Sequence, residues 1–340
     1  MITRTENYNL RSRNTFGMDV SCALFVEYDS AGDLAQLDWE ALPKPILHVG
    51  GGSNLLFTGD FPGTVLHSAI RYVKFVDMGL DDVLMTVGAG VVFDEFVQRA
   101  CDASLWGAEN LSLIPGEVGA CAVQNVGAYG AEFKDIVSGV VCFDTHTGDK
   151  TVFKQPECAY GYRDSIFKRP ENKGRYIVTS VLFRLSRRRG PRLEYGGLKA
   201  AVEAAGGPVT PLSVREAVLG IRRAKLPDPA ETGSAGSFFK NPVLDRERFS
   251  RILSAAEGQE VPHYDLPGGM VKVPAAWLIE QCGFKGCRRG GAGVWPKQPL
   301  VLVNASGSAR PDEIVALKDE IVAVVRARFG VTLEPEVVIV

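Results

Sequence analysis

The sequence predicts an α+β protein of more than one domain. Three observations carry that prediction. Short apolar strands punctuated by glycines fill the first third, amphipathic helical stretches are few and unevenly spaced, and no strand–helix alternation or internal repeat runs through the 340 residues. A chain of this length is expected to divide into two or three domains.

The strands come first. Pro45–Val49 is a compact apolar run ended by Gly50-Gly51-Gly52-Ser53-Asn54, and Leu55–Phe57 is apolar again. Thr64–His67, Val73–Asp77 and Val83–Val87 read as further strands set off by Gly63, Gly79 and Gly88. Asp94–Ala103 is the first helix, because Phe93, Phe96, Val97 and Ala100 fall on one face at helical spacing. From Leu111 to Gly130 glycine and alanine dominate without clear periodicity, which predicts loop and short turns. Val137–Phe143 and Lys150–Phe153 predict a hairpin around Thr147-Gly148-Asp149, followed by a strand over Ile177–Leu185.

A domain boundary is expected near Arg187–Arg192, with Arg187-Arg188-Arg189 read as a solvated loop. Thr210–Arg223 predicts a helix with Ser213 as N-cap and Glu216 as its capping-box partner. Leu226-Pro227-Asp228-Pro229 ends it and opens the last domain. Ala275–Cys282 predicts a short buried helix. Pro311–Phe329 predicts a long one that turns Ile314, Leu317, Ile321, Val324 and Val325 inward. Val331–Val340 predicts a closing strand.

Composition narrows the function classes. Hydrophobic residues at 46% and charged ones at 23% suit a chain with a large core. A net charge of −2 supplies no field that would gather nucleic acid or an anionic membrane. No apolar stretch approaches the roughly 20 residues that span a bilayer. Met1–Arg13 lacks the apolar core of a secretory signal. Seven cysteines with no CxxC pair argue against a disulfide framework or a structural zinc site, and Cys121, Cys142 and Cys282 read as core thiols. Together these features predict a cytoplasmic protein with no metal.

Several segments offer chemistry, each with a plainer alternative. Gly50–Asn54 follows a strand and can present successive backbone N–H groups to a pyrophosphate, or can be a simple glycine turn. It is neither a Walker A loop nor a GxGxxG fingerprint. Ile114-Pro115-Gly116-Glu117-Val118-Gly119-Ala120 and Gln124-Asn125-Val126-Gly127-Ala128-Tyr129-Gly130 would let a flat ring approach the backbone, or form tightly packed turns. Tyr160–Ser165 sets Arg163 beside aromatic groups, suiting a carboxylate ligand or a structural ion pair. Gly236-Ser237-Phe238-Phe239-Lys240-Asn241-Pro242 holds a hydroxyl next to glycine, or is only a turn before proline. Leu333–Val337 places Glu334 and Glu336 on one face of a strand broken by Pro335, as a positioned acid or an exposed edge.

The order of these motifs is more specific than any one of them. Asn14-Thr15-Phe16-Gly17, Gly-Gly-Gly-Ser-Asn, Ile-Pro-Gly-x-Val-Gly, Gln-Asn-x-Gly-Ala-Tyr-Gly, Tyr-Arg-Asp-Ser-x-Phe-Lys, Gly-Ser-Phe-Phe-Lys-Asn-Pro and Leu-Glu-Pro-Glu-Val span nearly the whole chain. Together they resemble the UDP-N-acetylenolpyruvoylglucosamine reductase family. Pro262–Asp265 through Lys272, with Ala276–Ile279, resembles its longer subclass with a substrate-capping tyrosine loop.

The resemblance implies a two-lobed FAD-binding domain of the vanillyl-alcohol-oxidase type and a C-terminal α+β substrate domain. Residues 1–68, joined by 331–340, would form lobe 1; 69–224 lobe 2; and 225–330 the substrate domain. FAD, held without a covalent bond, would contact Gly50, Gly51, Gly52, Ser53, Asn54, Ile114, Pro115, Gly116, Gly119, Ala120, Gln124, Asn125 and Gly127. Ser237 matches the family's proton donor, Glu336 its second catalytic acid and Arg163 its carboxylate contact. Tyr129, Tyr162, Tyr195, Lys225 and Asn241 match the nucleotide-sugar site, and Tyr264, Lys285 and Gln298 the uridine diphosphate end.

The implied activity is NADPH-dependent reduction of an enolpyruvyl nucleotide sugar, a step of peptidoglycan precursor synthesis, by a monomer. The sequence holds no determinant that separates NADPH from NADH. Glu117 and Trp295 depart from the family's pattern. Two other readings use fewer of the motifs: a flavin oxidase on the same scaffold, and a non-catalytic nucleotide-sugar sensor.

Overall fold

A computed structural model describes residues 1–79 and 81–340. The chain forms two compact units: Met1–Tyr8, Cys22–Gly51 and Phe61–Ala224 in the first, and Asn9–Ser21, Gly52–Asp60 and Lys225–Val340 in the second. Both mix sheets and helices, as an α+β sequence requires. Among the described residues no helix is long and apolar enough to cross a membrane.

In the first unit a four-stranded sheet runs in the order Ile2–Asn9, Ser21–Tyr28, Phe61–Ser68, Ile46–His48. Ser21–Tyr28 and Ile46–His48 both lie parallel to Phe61–Ser68. That central strand is buried on both faces over Gly63–Ser68, with the polar Thr64, His67 and Ser68 included. A five-stranded antiparallel sheet follows in the order Lys150–Lys154, Val137–Asp144, Tyr176–Ser186, Asp82–Gly88, Val73–Asp77. The expected hairpin is present, with Val141 opposite Val152.

The helix Phe93–Asp102 buries Phe93, Phe96, Val97 and Ala100, and Phe96 stacks on Phe183 of the sheet at 4.1 Å between ring centroids. Leu111–Gly130, expected to be loop, contains the short helix Val118–Gln124. Its seven residues, three of them glycine or alanine, carry too little periodicity to register.

The helix Pro211–Lys225 starts two residues before the expected cap. Thr210, not Ser213, is the capping residue: its hydroxyl accepts from the Ser213 N–H at 3.1 Å. Pro211, lacking an N–H, suits the first helical position.

In the second unit the strands Ser234–Ser237, Val301–Asn304, Ala292–Val294 and Arg288–Arg289 form an antiparallel sheet. The helix Pro311–Phe329 buries Ile314, Leu317, Ile321 and Val325, then stops at left-handed Gly330. Val324, expected inward, is 38% exposed because Val325 holds the buried stripe.

A three-stranded sheet joins Val243–Leu244, Val271–Lys272 and Tyr264–Asp265. The helix Ala275–Gln281 buries Leu278 and Ile279. All seven cysteines are unpaired; Cys121 and Cys142 are buried as expected, whereas Cys282 is only half-buried. The closing strand is shorter than expected: only Val338–Ile339 pairs, in parallel with Leu55–Leu56. Pro335 has no N–H to extend the ladder and makes a single isolated bridge with Phe239.

Candidate active site

The strand Ile46–His48 delivers the chain into Gly50 and Gly51. A Cβ at Gly50 would lie 3.0 Å from the Ala120 Cβ and 3.4 Å from Glu117 Oε2; one at Gly51 would lie 3.1 Å from the Gly116 Cα. Bare backbone at these two positions therefore lies flat against the turn Gly116–Ala120.

That turn is itself pinned. Phe93 donates its N–H to the Gly116 carbonyl at 2.9 Å, Val118 to Val91 at 2.9 Å, and Gly119 to Ala89 at 2.9 Å. A Cβ at Gly119 would come 2.9 Å from that of Ala89, so the short helix reaches this position only with glycine there. Ile114 is buried, while Pro115 and Ala120 are exposed.

The next segment is knitted to Tyr160–Lys168. Gln124 accepts the Lys168 ammonium at 2.9 Å through Oε1, while its Nε2 is buried without a partner. Asn125 is left-handed at φ 46°. Its amide donates to Glu132 at 3.0 Å and to the Gly161 carbonyl at 2.7 Å, and accepts from the Lys134 N–H at 3.0 Å. Arg163 donates to the Gly127 carbonyl at 3.0 Å, and its guanidinium lies 5.5 Å from the Tyr162 ring centroid. Tyr129 meets Tyr195 edge-on at 6.5 Å, and its carbonyl accepts from Asn110 at 2.7 Å. The first unit thus gathers Gly127, Tyr129, Tyr162, Arg163 and Tyr195 around one set of turns.

In the second unit, Gly52 has φ +63° and a Cβ there would meet the Arg13 carbonyl at 2.0 Å, which requires glycine. Ser53 is half-buried, and Asn54 donates to the Glu336 carbonyl at 3.3 Å. Ser237 ends its strand after left-handed Gly236. Glu336 donates its N–H to the Phe238 carbonyl at 2.8 Å, and Lys240 donates to the Glu334 carbonyl at 2.9 Å. Segments 237–240 and 334–336 therefore run antiparallel, side by side, with Phe238 buried beneath.

Asn241 accepts from the Ala275 N–H at 2.9 Å and fixes the start of that helix. Tyr264 is exposed, with Lys272 Nζ 5.2 Å from its ring centroid. Lys285 pairs with Glu280 at 2.6 Å. Gln298 closes the turn before Val301, whose N–H it receives at 3.0 Å. The indole of Trp295 donates to the Lys225 carbonyl at 3.1 Å, which gives that departure from the family pattern a local job.

Sequence reasoning missed four residues. Lys168 donates to the Arg163 carbonyl at 2.7 Å as well as to Gln124, and stands in the same motif. Arg222 has a buried Nε without a partner. Burial pulls its pKa below the usual value, against the opposing charges of Tyr129 and Asp94. Both oxygens of Asp94 are already taken by Arg215, at 2.6 and 2.8 Å. Only its helical spacing marked Arg222, and that pattern does not single out one arginine among three. His67 and Glu117 are joined at 3.0 Å behind Gly50; a lone histidine in an apolar strand gives no warning of a carboxylate 50 residues away.

The residues fit a flavin dinucleotide. The Nε2 of Gln124 and the Nε of Arg222 are buried donors that water or a ligand must satisfy. Comparison with known families agrees. Residues 25–152 match an FAD binding domain, and residues 228–340 match the C-terminal domain of UDP-N-acetylenolpyruvoylglucosamine reductase. The reductase of that name from Bacteroides fragilis (strain YCH46) is 50% identical over 333 residues, covering 98% of each chain. The one from Chromobacterium violaceum is 46% identical, covering 96% of each. The crystal structure of the enzyme from Thermus caldophilus superposes with a TM-score of 0.67 at 25% identity, covering 100% of this chain and 98% of that one. Full-length identity at this level, with both domain families matched in order, makes the chain a member of the UDP-N-acetylenolpyruvoylglucosamine reductase family.

Proposed function

We propose that the protein reduces UDP-N-acetylglucosamine enolpyruvate to UDP-N-acetylmuramate with NADPH, as a UDP-N-acetylmuramate dehydrogenase of peptidoglycan precursor synthesis. Non-covalently bound FAD supplies the hydride chemistry; the chain supplies position and electrostatics. On this reading 1–68 with 331–340, and 69–224, are the two FAD-binding lobes, and 225–330 binds substrate. The protein acts as a cytoplasmic monomer.

Gly50–Asn54 hold the diphosphate through backbone N–H groups, and Ile114–Ala120 with Gln124, Asn125 and Gly127 line the ring. Arg163 binds the substrate carboxylate, with Tyr129, Tyr162, Tyr195, Lys225 and Asn241 around the sugar. Tyr264 belongs to the capping loop of the longer subclass and meets the uridine diphosphate end with Lys285 and Gln298. Reduction adds hydride at the terminal vinyl carbon and a proton at the carbon bearing the carboxylate. Ser237 Oγ delivers that proton, and a protonated Glu336 hydrogen-bonds the negative charge that develops beside it.

The observation that carries this reading is the antiparallel pairing of 237–240 with 334–336, which makes the proposed donor and acid neighbours although about a hundred residues separate them in sequence. The test is optical. Purified protein should be yellow, bleach with NADPH and recover colour anaerobically when the enolpyruvyl nucleotide sugar is added. Recovery with oxygen but not with that substrate would overturn the assignment in favour of a flavin oxidase.

A further inference from the structure

Within the first unit, Lys168 touches two residues with separate jobs in the proposed site. Phe167 beside it is buried and meets Phe153 edge-on at 5.4 Å, which fixes the backbone from which Lys168 projects. Ser165 adds a second anchor, its hydroxyl donating to the Val123 carbonyl at 2.6 Å. The Lys168 ammonium donates to Gln124 Oε1 at 2.9 Å and to the Arg163 carbonyl at 2.7 Å.

The first of these bonds decides the polarity of Gln124. An ammonium carries three N–H donors and no acceptor, whereas a glutamine amide has a donor end and an acceptor end. Facing Lys168, the amide must present its oxygen, because the reverse orientation would set donors against donors. Its Nε2 is thereby committed to the other side, where it is buried without a partner. The lysine makes this position offer a ligand a donor and not an acceptor.

The second bond acts on Arg163. Its φ of +54° is left-handed, a conformation that a residue with a Cβ adopts at a cost. Hydrogen bonds of 3.0 and 3.2 Å between Gly161 and Asp164 close the turn, and Lys168 takes the Arg163 carbonyl. The guanidinium donates to the Gly127 carbonyl at 3.0 Å, and a Cβ on Gly127 would stand 3.3 Å from Arg163 Nη1. Backbone and side chain of the arginine are therefore held from two directions.

We propose that Lys168 is a positioning residue that turns Gln124 into a fixed donor for the flavin and holds Arg163 ready for the substrate carboxylate. One ammonium then supports cofactor and substrate affinity together. The proposal rests on reading Gln124 and Arg163 as the flavin and carboxylate contacts. Lys168 also interacts beyond these two bonds, so the test isolates the Gln124 route in a second background.

The first measurement is fluorimetric titration of FAD into deflavinated protein. Lys168→Met keeps the aliphatic stem and deletes the donors, and should weaken FAD about tenfold, the order of one hydrogen bond to a buried partner. In a Gln124→Leu background the same substitution should change FAD affinity by less than about twofold, because its route to the flavin is gone. The second measurement is calorimetric titration of the holoenzyme at saturating FAD. Lys168→Met should bind UDP-N-acetylmuramate, which carries a carboxylate, about tenfold more weakly, the order of one misplaced charge-assisted hydrogen bond. UDP-N-acetylglucosamine, which lacks that carboxylate, should stay within about twofold of wild type.

Unchanged affinity for FAD or for the carboxylate ligand would overturn the proposal, as would an equal FAD loss in both backgrounds or an equal loss of both nucleotide sugars. Gln124→Leu binding FAD as tightly as wild type would remove the flavin-contact reading, and the proposal with it. Should Lys168→Met not fold, Lys168→Gln takes its place. Its amide accepts as well as donates, so it no longer dictates which end Gln124 presents, and the same losses are expected.

Discussion

Glu336 donates its backbone N–H to the carbonyl of Phe238 at 2.8 Å, one residue beyond Ser237. Asn54 holds the same short segment from the other side, through the Glu336 carbonyl. The backbone at both proposed catalytic positions is thus fixed by hydrogen bonds before any ligand arrives, which removes a source of disorder from proton delivery.

From this follows the first prediction. Ser237→Ala should leave the NADPH half-reaction nearly unchanged while slowing reoxidation by the enolpyruvyl substrate about 10²–10⁴-fold, the usual worth of a positioned acid. Stopped-flow absorbance resolves the two steps. Equal slowing of both would remove the proton-donor role from Ser237.

Glu336→Gln retains the backbone bond to Phe238 and the side-chain shape. FAD binding should be unaltered and turnover should fall by about 10² or more, as when one stabilising donor is lost. Flavin retention through gel filtration is the control; loss of FAD would mark Glu336 as structural.

Gln124 offers a sharper separation. Its Oε1 serves Lys168, and its Nε2 is buried without a partner. Gln124→Glu keeps the acceptor for Lys168 and deletes the donor. FAD affinity should weaken at least about tenfold, the order of one hydrogen bond to a buried partner, while the flavin-free protein melts no lower than wild type. An unchanged dissociation constant would show that Nε2 faces no ligand.

The pair Asp94–Arg215 predicts a pH effect on stability. Burial pushes Asp94 up, but hydrogen bonds from Arg215 and the Leu113 N–H, with the Arg215 charge, outweigh it and leave its carboxyl below the ordinary carboxylate range. A depressed carboxylate contributes stability above its unfolded pKa, and that contribution is lost as pH falls through the lower folded value. Urea midpoints should therefore drop between about pH 5 and 3 in the wild type and drop less in Arg215→Met. At neutral pH that substitution should destabilise by about 1–3 kcal/mol, because it leaves a half-buried carboxylate without its cation. A smaller loss at neutral pH, with the acid sensitivity intact, would place the pH dependence elsewhere.

The sequence determined by itself whatever is local or periodic. The glycine-punctuated strands, the hairpin around Gly148, the helix from Pro311 and the order of the motifs that marks the family all depend on neighbours a few residues away. It misjudged the ends and the small elements. Thr210 displaced Ser213 as cap because a proline follows it, Val118–Gln124 became helical through anchoring to 89–93, and Pro335 broke the expected last strand. Only tertiary structure set Glu336 beside Phe238, left Gln124 and Arg222 with buried unpartnered nitrogens, and closed His67 between two carboxylates. The physical reason is common to all three. Hydrogen-bond satisfaction and charge compensation are settled between groups 40 to 100 residues apart, and a pattern read along the chain has no measure of distance across it.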